Sequence, residues 1–210
     1  MTWNGREGAV IGLGLSNAAL IRYLVSRGAR VTGCDRQGPG SLGARFEELK
    51  AFGIGFQLGE RYLDGLDRFD TLFVTPGMRK DLPELVAARE KGIEMSSEMQ
   101  LFFSRCRART IGITGSSGKT TTTTLIGEIL AAAGYDVVVG GNIGRPLIEQ
   151  VDQLHEEQWV VVELSSFQLE TMRYSPDIAV VTNIAPNHLD VHGTMTAYVD
   201  AKRRIYQYQA

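Results

Sequence analysis

A parallel α/β fold built as two units in series is what this sequence of 210 residues predicts. Three observations carry that expectation. Short apolar runs alternate with longer stretches of helical period, the alternation restarts after residue 96, and the leading strand of each series runs straight into a glycine-containing turn. No long linker, low-complexity tract or residue-level repeat separates the halves, so the units are expected at residues 1–95 and 96–210, abutting.

In the first series Ala9 to Gly12 reads as a strand and Ser16 to Arg27 as a helix, followed by a strand over Arg30 to Cys34 and a helix over Ser41 to Phe52. Phe69 to Val74 is a buried strand, Leu82 to Lys91 a helix, and Ser97 to Arg105 a helix leading out of the unit. The second series has a strand over 110 to 114, a helix over 119 to 133, a strand over Asp136 to Val139 and a helix over Pro146 to His155. Strands over Trp159 to Leu164 and Ile178 to Asn183 follow, then a closing helix from Thr196. In parallel α/β sheets ligands bind beyond the carboxyl ends of the strands. Gly12-Leu-Gly14, Asp35 and Thr75-Pro76-Gly77 fall there in the first unit, and the turn after residue 114, Gly141-Asn142, Glu163 and Asn183 in the second.

The segment Thr110-Ile-Gly-Ile-Thr-Gly115-Ser116-Ser117-Gly118-Lys119-Thr120-Thr121 is the most informative. A strand, a glycine-rich turn and Lys-Thr opening a helix aim backbone N–H groups at one anion, the arrangement of a phosphate cradle. Lys119 would add a point charge and Thr120 a hydroxyl ligand for Mg2+. The first glycine of the usual G-x-x-x-x-G-K-[ST] pattern is replaced by Ile113, so the loop is a variant of it. This makes the second unit P-loop NTPase-like. The first is Rossmann-like: Gly12-Leu-Gly14-Leu15-Ser16-Asn17 follows G-x-G-x-x-G with Asn in the third place, and Asp35 stands where a ribose-binding carboxylate is expected. A dinucleotide, as in an NAD-linked oxidoreductase, another diphosphate, or plain turn glycines with a capping Asp35 all remain open there.

Glu163 ends the apolar run Trp159-Val-Val-Val, where a carboxylate is costly unless it faces a ligand or a cation, which points to a Mg2+ ligand. His188, in Asn183-Ile-Ala-Pro-Asn-His188-Leu-Asp190, lies in a loop at the same edge, and Lys202 by itself reads as part of a basic helix face. The formal charge of -2, with 22 basic and 24 acidic residues interspersed, speaks against nucleic acid and against a membrane-seeking face. Cys34 and Cys106 lack metal-ligand spacing and fit buried thiols in a reducing cytoplasm. No apolar run approaches the roughly 20 residues of a membrane span, so an intracellular protein is expected.

Gly115-Ser-Ser-Gly-Lys-Thr-Thr, Gly140-Gly-Asn-Ile-Gly144, Glu163-Leu-Ser-Ser-Phe-Gln-Leu-Glu170 and Asn187-His-Leu-Asp190 with Ala201-Lys202 together resemble the Mur ligases over essentially the whole chain. Within that family the residues are most similar to the branch that adds D-glutamate to UDP-N-acetylmuramoyl-L-alanine. The resemblance implies ATP as cosubstrate, two Mg2+ ions, a substrate acyl phosphate and a full-length protein that is monomeric and cytoplasmic. It places Gly14, Leu15, Ser16 and Asn17 at the UDP diphosphate, Asp35 and Arg36 at the uridine, and Pro76, Gly77, Asn142, Ser165 and His188 among the substrate contacts. Lys119, Glu163, His188 and Lys202 become the catalytic group, with Thr120, Glu163, His188 and a carbamylated Lys202 as metal ligands. It also implies a third domain not found here and a central domain continuing past Ala210. The chain is therefore expected to be a truncated front half, inactive alone and with an exposed sheet edge; a non-catalytic UDP-muramoyl or nucleotide-binding module is the alternative.

Overall fold

The structure, a computed structural model, describes residues 3–209. The chain separates into two compact units, Met1–Glu98 and Met99–Ala210.

The first unit is a five-stranded parallel sheet of β1 (Glu7–Ile11), β2 (Arg30–Asp35), β3 (Gly55–Leu58), β4 (Thr71–Val74) and β5 (Glu94–Ser96), in the order β3-β2-β1-β4-β5. The order reverses beside β1, and open parallel sheets of this kind in general take ligands in the crevice beyond the carboxyl ends at such a point. Its helices are α1 (Leu15–Ser26), α2 (Pro39–Leu42), α3 (Ala44–Lys50) and α4 (Pro83–Glu90). Ala9 and Ile11 of β1 pack with Leu72 and Val74 of β4, Leu85 of α4, Leu66 of the 3-10 helix Leu66–Arg68 and the loop residues Leu63 and Phe69. Each such Leu, Ile or Phe, when fully buried, stabilises the unit by roughly 1.5–3 kcal/mol.

The helix α5 (Glu98–Arg105) starts on the last residue of the first unit and leads into the second, which holds a four-stranded parallel sheet of β6 (Arg109–Thr114), β7 (Val137–Gly141), β8 (Trp159–Glu163) and β9 (Ile178–Val181), in the order β7-β8-β6-β9. Its further helices are α6 (Lys119–Ala132), α7 (Ser166–Leu169), α8 (Leu189–His192) and α9 (Met195–Gln207). Val160, Val161 and Val162 of β8 are wholly buried, which explains why that strand reads as an unbroken apolar run instead of an alternating one. Leu125 and Ile129 of α6 and Ile178 and Val181 of the edge strand β9 are exposed. Among the described residues no helix is long and apolar enough to cross a membrane.

Several local expectations are corrected. The single helix over 41–52 is two short ones, because the chain leaves helical geometry at Gly43 (φ 52°, ψ -128°). The helix over 146–155 is a 3-10 helix, Leu147–Gln153, between Pro146 and an extended Leu154. Seven residues close few α-type hydrogen bonds, and this short connector takes the tighter form while burying Leu147, Ile148 and Val151. β3 and β5 went unread because they are short and flank the sheet, with no fully buried residue to produce an apolar run. The four-residue α7 and α8 likewise give no helical period.

Candidate functional site

β6 delivers the chain into the turn Gly115–Gly118, and α6 starts at Lys119. Gly115 has φ 154°, and a Cβ there would lie 1.9 Å from Thr182 Oγ1, so no other residue fits without moving β9's continuation. Asn183 clasps the turn from that side. Its backbone carbonyl accepts from Ser116 N at 3.1 Å, its Oδ1 accepts from Ser117 N at 3.1 Å, and its Nδ2 donates to Ser117 O at 3.0 Å. Lys119 Nζ folds back onto the carbonyls of Gly115 (3.0 Å) and Ser116 (3.4 Å), within a cradle whose helix N-terminus favours an anion.

Glu163, at the end of the neighbouring β8, is 2% exposed. Its Oε2 accepts from Thr120 Oγ1 at 2.7 Å and its Oε1 from Asn142 Nδ2 at 2.9 Å, while Asn142 N donates to the Glu163 carbonyl at 2.9 Å. β7 and β8 thus place Asn142 as a clamp on the carboxylate, and α6 brings Thr120 to its other oxygen.

Lys202 lies on α9, 3% exposed, and its Nζ donates to Gly115 O at 2.9 Å and to Thr114 Oγ1 at 3.2 Å. Burial, with the nearby Lys119 ammonium adding to it, pushes this lysine down to about 8. His188 caps α8 with φ 54°, the one non-glycine residue in left-handed geometry among those described, and its ring packs on Phe167 at 5.0 Å. It makes no hydrogen bond with Thr120, Glu163 or Lys202 among the described residues. Ser165 caps α7, exchanging bonds with Gln168 in a capping box.

In the first unit Gly12 has φ 86°, and a Cβ there would meet Thr75 Cγ2 at 2.9 Å, whereas nothing lies within 4 Å of a Cβ on Gly14. Asn17, in the third glycine's place, is buried and donates to the carbonyls of Ile11 (3.1 Å) and Gly12 (2.7 Å), capping the end of β1. Asp35 accepts from Leu13 N at 2.7 Å and Gln37 N at 2.8 Å, so its carboxylate organises two loops. Leu15 and Arg36 are exposed, Ser16 is half-buried, and Lys80 Nζ ties the Pro76-Gly77 turn by donating to Pro76 O and Met78 O, each at 2.7 Å.

Residues 113–210 match the family model described as Mur ligase middle domain, and residues 6–97 match that described as Mur ligase MurD-like, N-terminal domain. The chain belongs to the Mur ligase family. A UDP-N-acetylmuramoylalanine--D-glutamate ligase of Symbiobacterium thermophilum is 58% identical over 202 residues, covering 96% of this chain and 44% of that protein. Enzymes of the same name from Clostridium novyi, 52% identical over 204 residues, and Acetivibrio thermocellus, 51% identical over 202 residues, cover 97% and 96% of the chain. The chain spans 44% or 43% of the length of these relatives. Among solved structures, the UDP-N-acetylmuramate:L-alanyl-gamma-D-glutamyl-meso-diaminopimelate ligase from Neisseria meningitides shares the fold at TM-score 0.61 and 20% identity, over 98% of this chain and 69% of that one.

In this Mur ligase chain the predicted residues of the second unit gather into two groups. Lys119, Thr120, Glu163 and Asn142 are linked at the cradle, and Lys202 meets the cradle from beneath. His188 and Ser165 stand apart, on the aromatic Phe167 and in a helix cap. Among the described residues no cationic side chain pairs with the buried Glu163, and its neighbours are a hydroxyl and an amide. A buried carboxylate without a cationic partner, beside a hydroxyl oxygen, fits Mg2+. Sequence reasoning missed Tyr198, whose hydroxyl lies 2.9 Å from Ser116 Oγ, and used Asn183 only as a marker of the sheet edge.

Proposed function

We propose that this Mur ligase chain carries the UDP-precursor site and the ATP site of an enzyme that joins D-glutamate to UDP-N-acetylmuramoyl-L-alanine in the cytoplasm. The contact of Thr120 Oγ1 with Glu163 Oε2 carries the proposal: it sets a hydroxyl and a buried carboxylate side by side at the mouth of a phosphate cradle. The names of the relatives at 51–58% identity support D-glutamate as the incoming amino acid.

In this scheme the backbone N–H groups of the cradle hold the ATP phosphates, and Lys119 exchanges the loop carbonyls for phosphoryl oxygens. A carboxylate oxygen of the alanyl group attacks the γ-phosphorus; the bond to the β,γ-bridging oxygen breaks, and ADP leaves an acyl phosphate behind. The D-glutamate amine then attacks the acyl carbon, loses a proton, and inorganic phosphate departs as the amide forms. Mg2+, when bound, would neutralise the charge on the transferring group; Thr120 and Glu163 would hold one ion, and His188 with a carbamylated Lys202 a second. Carbamylation needs a neutral amine, and the lowered pKa of Lys202 supports it. In the first unit, Gly14 to Asn17 would receive the diphosphate and Asp35-Arg36 the uridine, with Pro76-Gly77 beside them.

Calorimetric titration of the chain with UDP-N-acetylmuramoyl-L-alanine, and separately with NAD, tests the assignment. Binding of the UDP compound and not of NAD is expected. Binding of NAD alone would replace the ligase by a nicotinamide-linked enzyme.

A further inference from the structure

Tyr198 and Lys202 are four residues apart on α9, hence on one face, and both are buried, at 1% and 3% exposed. That face reaches three consecutive residues where β6 enters the cradle. Lys202 Nζ bonds Thr114 Oγ1 and Gly115 O, and the Tyr198 hydroxyl lies 2.9 Å from Ser116 Oγ.

Counting donors assigns the direction of the last bond. Ser116 Oγ accepts from Ala185 N at 2.9 Å and donates its single proton to Ala185 O at 2.8 Å. One lone pair remains, so with all three contacts made Tyr198 is the donor. The same phenol ring lies under the Lys202 ammonium, 4.7 Å from Nζ to the ring centroid, and its edge meets the His192 ring at 5.3 Å. His192 in turn bonds Ser166 Oγ at 3.0 Å. The ring therefore has no free rotamer, and its hydroxyl is held at one point of the turn.

We infer that Tyr198 is a positioning residue of the nucleotide site, fixing the Ser116 corner of the cradle through its hydroxyl while its ring seats Lys202, so that the cradle and α9 move together. This rests on the assignment of ATP phosphates to the turn Gly115–Gly118 and the start of α6. A cradle whose donors are already aimed loses less on binding than one that must be ordered, so the gain appears in nucleotide affinity and not in fold stability.

The test is a double-mutant cycle on ATP·Mg2+ affinity, with Tyr198→Phe, Ser116→Ala and both, each checked by melting temperature and by affinity for UDP-N-acetylmuramoyl-L-alanine. Tyr198→Phe keeps the ring and its packing. It is expected to weaken ATP·Mg2+ binding about 3- to 10-fold, from the loss of one hydrogen bond, with the UDP compound bound as before. The double variant should be no weaker than Ser116→Ala alone. Full additivity, or an unchanged affinity in Tyr198→Phe, would overturn the inference. If the unsubstituted chain binds no nucleotide, it is the nucleotide assignment that fails, and amide exchange at Ala185 decides the positioning role: faster exchange in Tyr198→Phe supports it and equal exchange refutes it.

Discussion

The two glycine turns share a plan, strand to turn to helix at a sheet's switch point, yet they are stiffened by different means. The turn at Gly12 is held by side chains bonded to the backbone: Asn17 caps two carbonyls at the end of β1, and the Asp35 carboxylate accepts from two backbone amides. The turn at Gly115 is surrounded by charge, with Lys119 and Lys202 sharing the Gly115 carbonyl and Glu163 across from Thr120. A ligand that is held and left unchanged needs backbone donors at fixed distance, which the first turn offers. A phosphoryl group in transfer develops charge that must be met by cations and metal ions, a role the lysines and the carboxylate at the second turn would fill under the proposed function. On the proposed assignment the same local fold would serve two chemistries according to what the adjoining strands bring to it.

Charge removal should break the comparison most sharply. Glu163→Gln and Lys119→Ala are each expected to lower ATP·Mg2+ affinity by about 100-fold or more, the scale for losing a buried charged partner. Affinity for UDP-N-acetylmuramoyl-L-alanine should stay within about twofold, since neither residue is among those assigned to that compound. Calorimetry on both ligands checks this, and equal losses for both would erase the distinction between the turns.

Next in size is the contrast between glycines. Gly115→Ala is expected to destabilise the second unit by about 2–3 kcal/mol, through a strained backbone and the clash with Thr182. Gly14→Ala, with φ -72° and open space around it, should leave the melting temperature nearly unchanged while weakening the UDP compound, whose diphosphate would meet the new methyl group. Denaturant melts and titrations of the two variants separate a glycine required by the fold from one required by a ligand.

Asn17→Ala should cost about 1–2 kcal/mol, because the Gly12 carbonyl loses its side-chain donor and the Ile11 carbonyl keeps only the Thr75 amide near the end of a buried strand. A further effect is one of pH. The Lys202 pKa is lowered from 10.5 to about 8 in the folded chain, so the protonated amine is the form that folding disfavours. Its burial detracts from stability below about pH 8, and the deficit closes as the pH rises from there towards 10.5. Relative to Lys202→Gln, the unsubstituted chain should therefore gain stability across that window, as thermal melts at successive pH values will read.

The fold was legible where apolar runs were long or a glycine turn joined a strand to a helix, as at β1, β6 and β8. It was illegible at β3 and β5, which flank a sheet and bury no residue fully, and at the segment around Gly43, where helical period continues through a backbone break. Lys119, Thr120 and Glu163 announced themselves through the residues beside them in sequence. Tyr198 did not, since its partner Ser116 lies 82 residues away and a tyrosine on a helix reads simply as core. Asn17 was read as a defect in a glycine pattern, although its side chain supplies the caps that a glycine could not.

The most direct test of two separate and differently built sites is calorimetric titration of the chain with ATP·Mg2+, in the absence and in the presence of saturating UDP-N-acetylmuramoyl-L-alanine. Two occupied sites per chain are predicted, with ATP binding retained when the UDP compound is already bound. Competition between the two ligands, or a single site that takes either, would contradict the account.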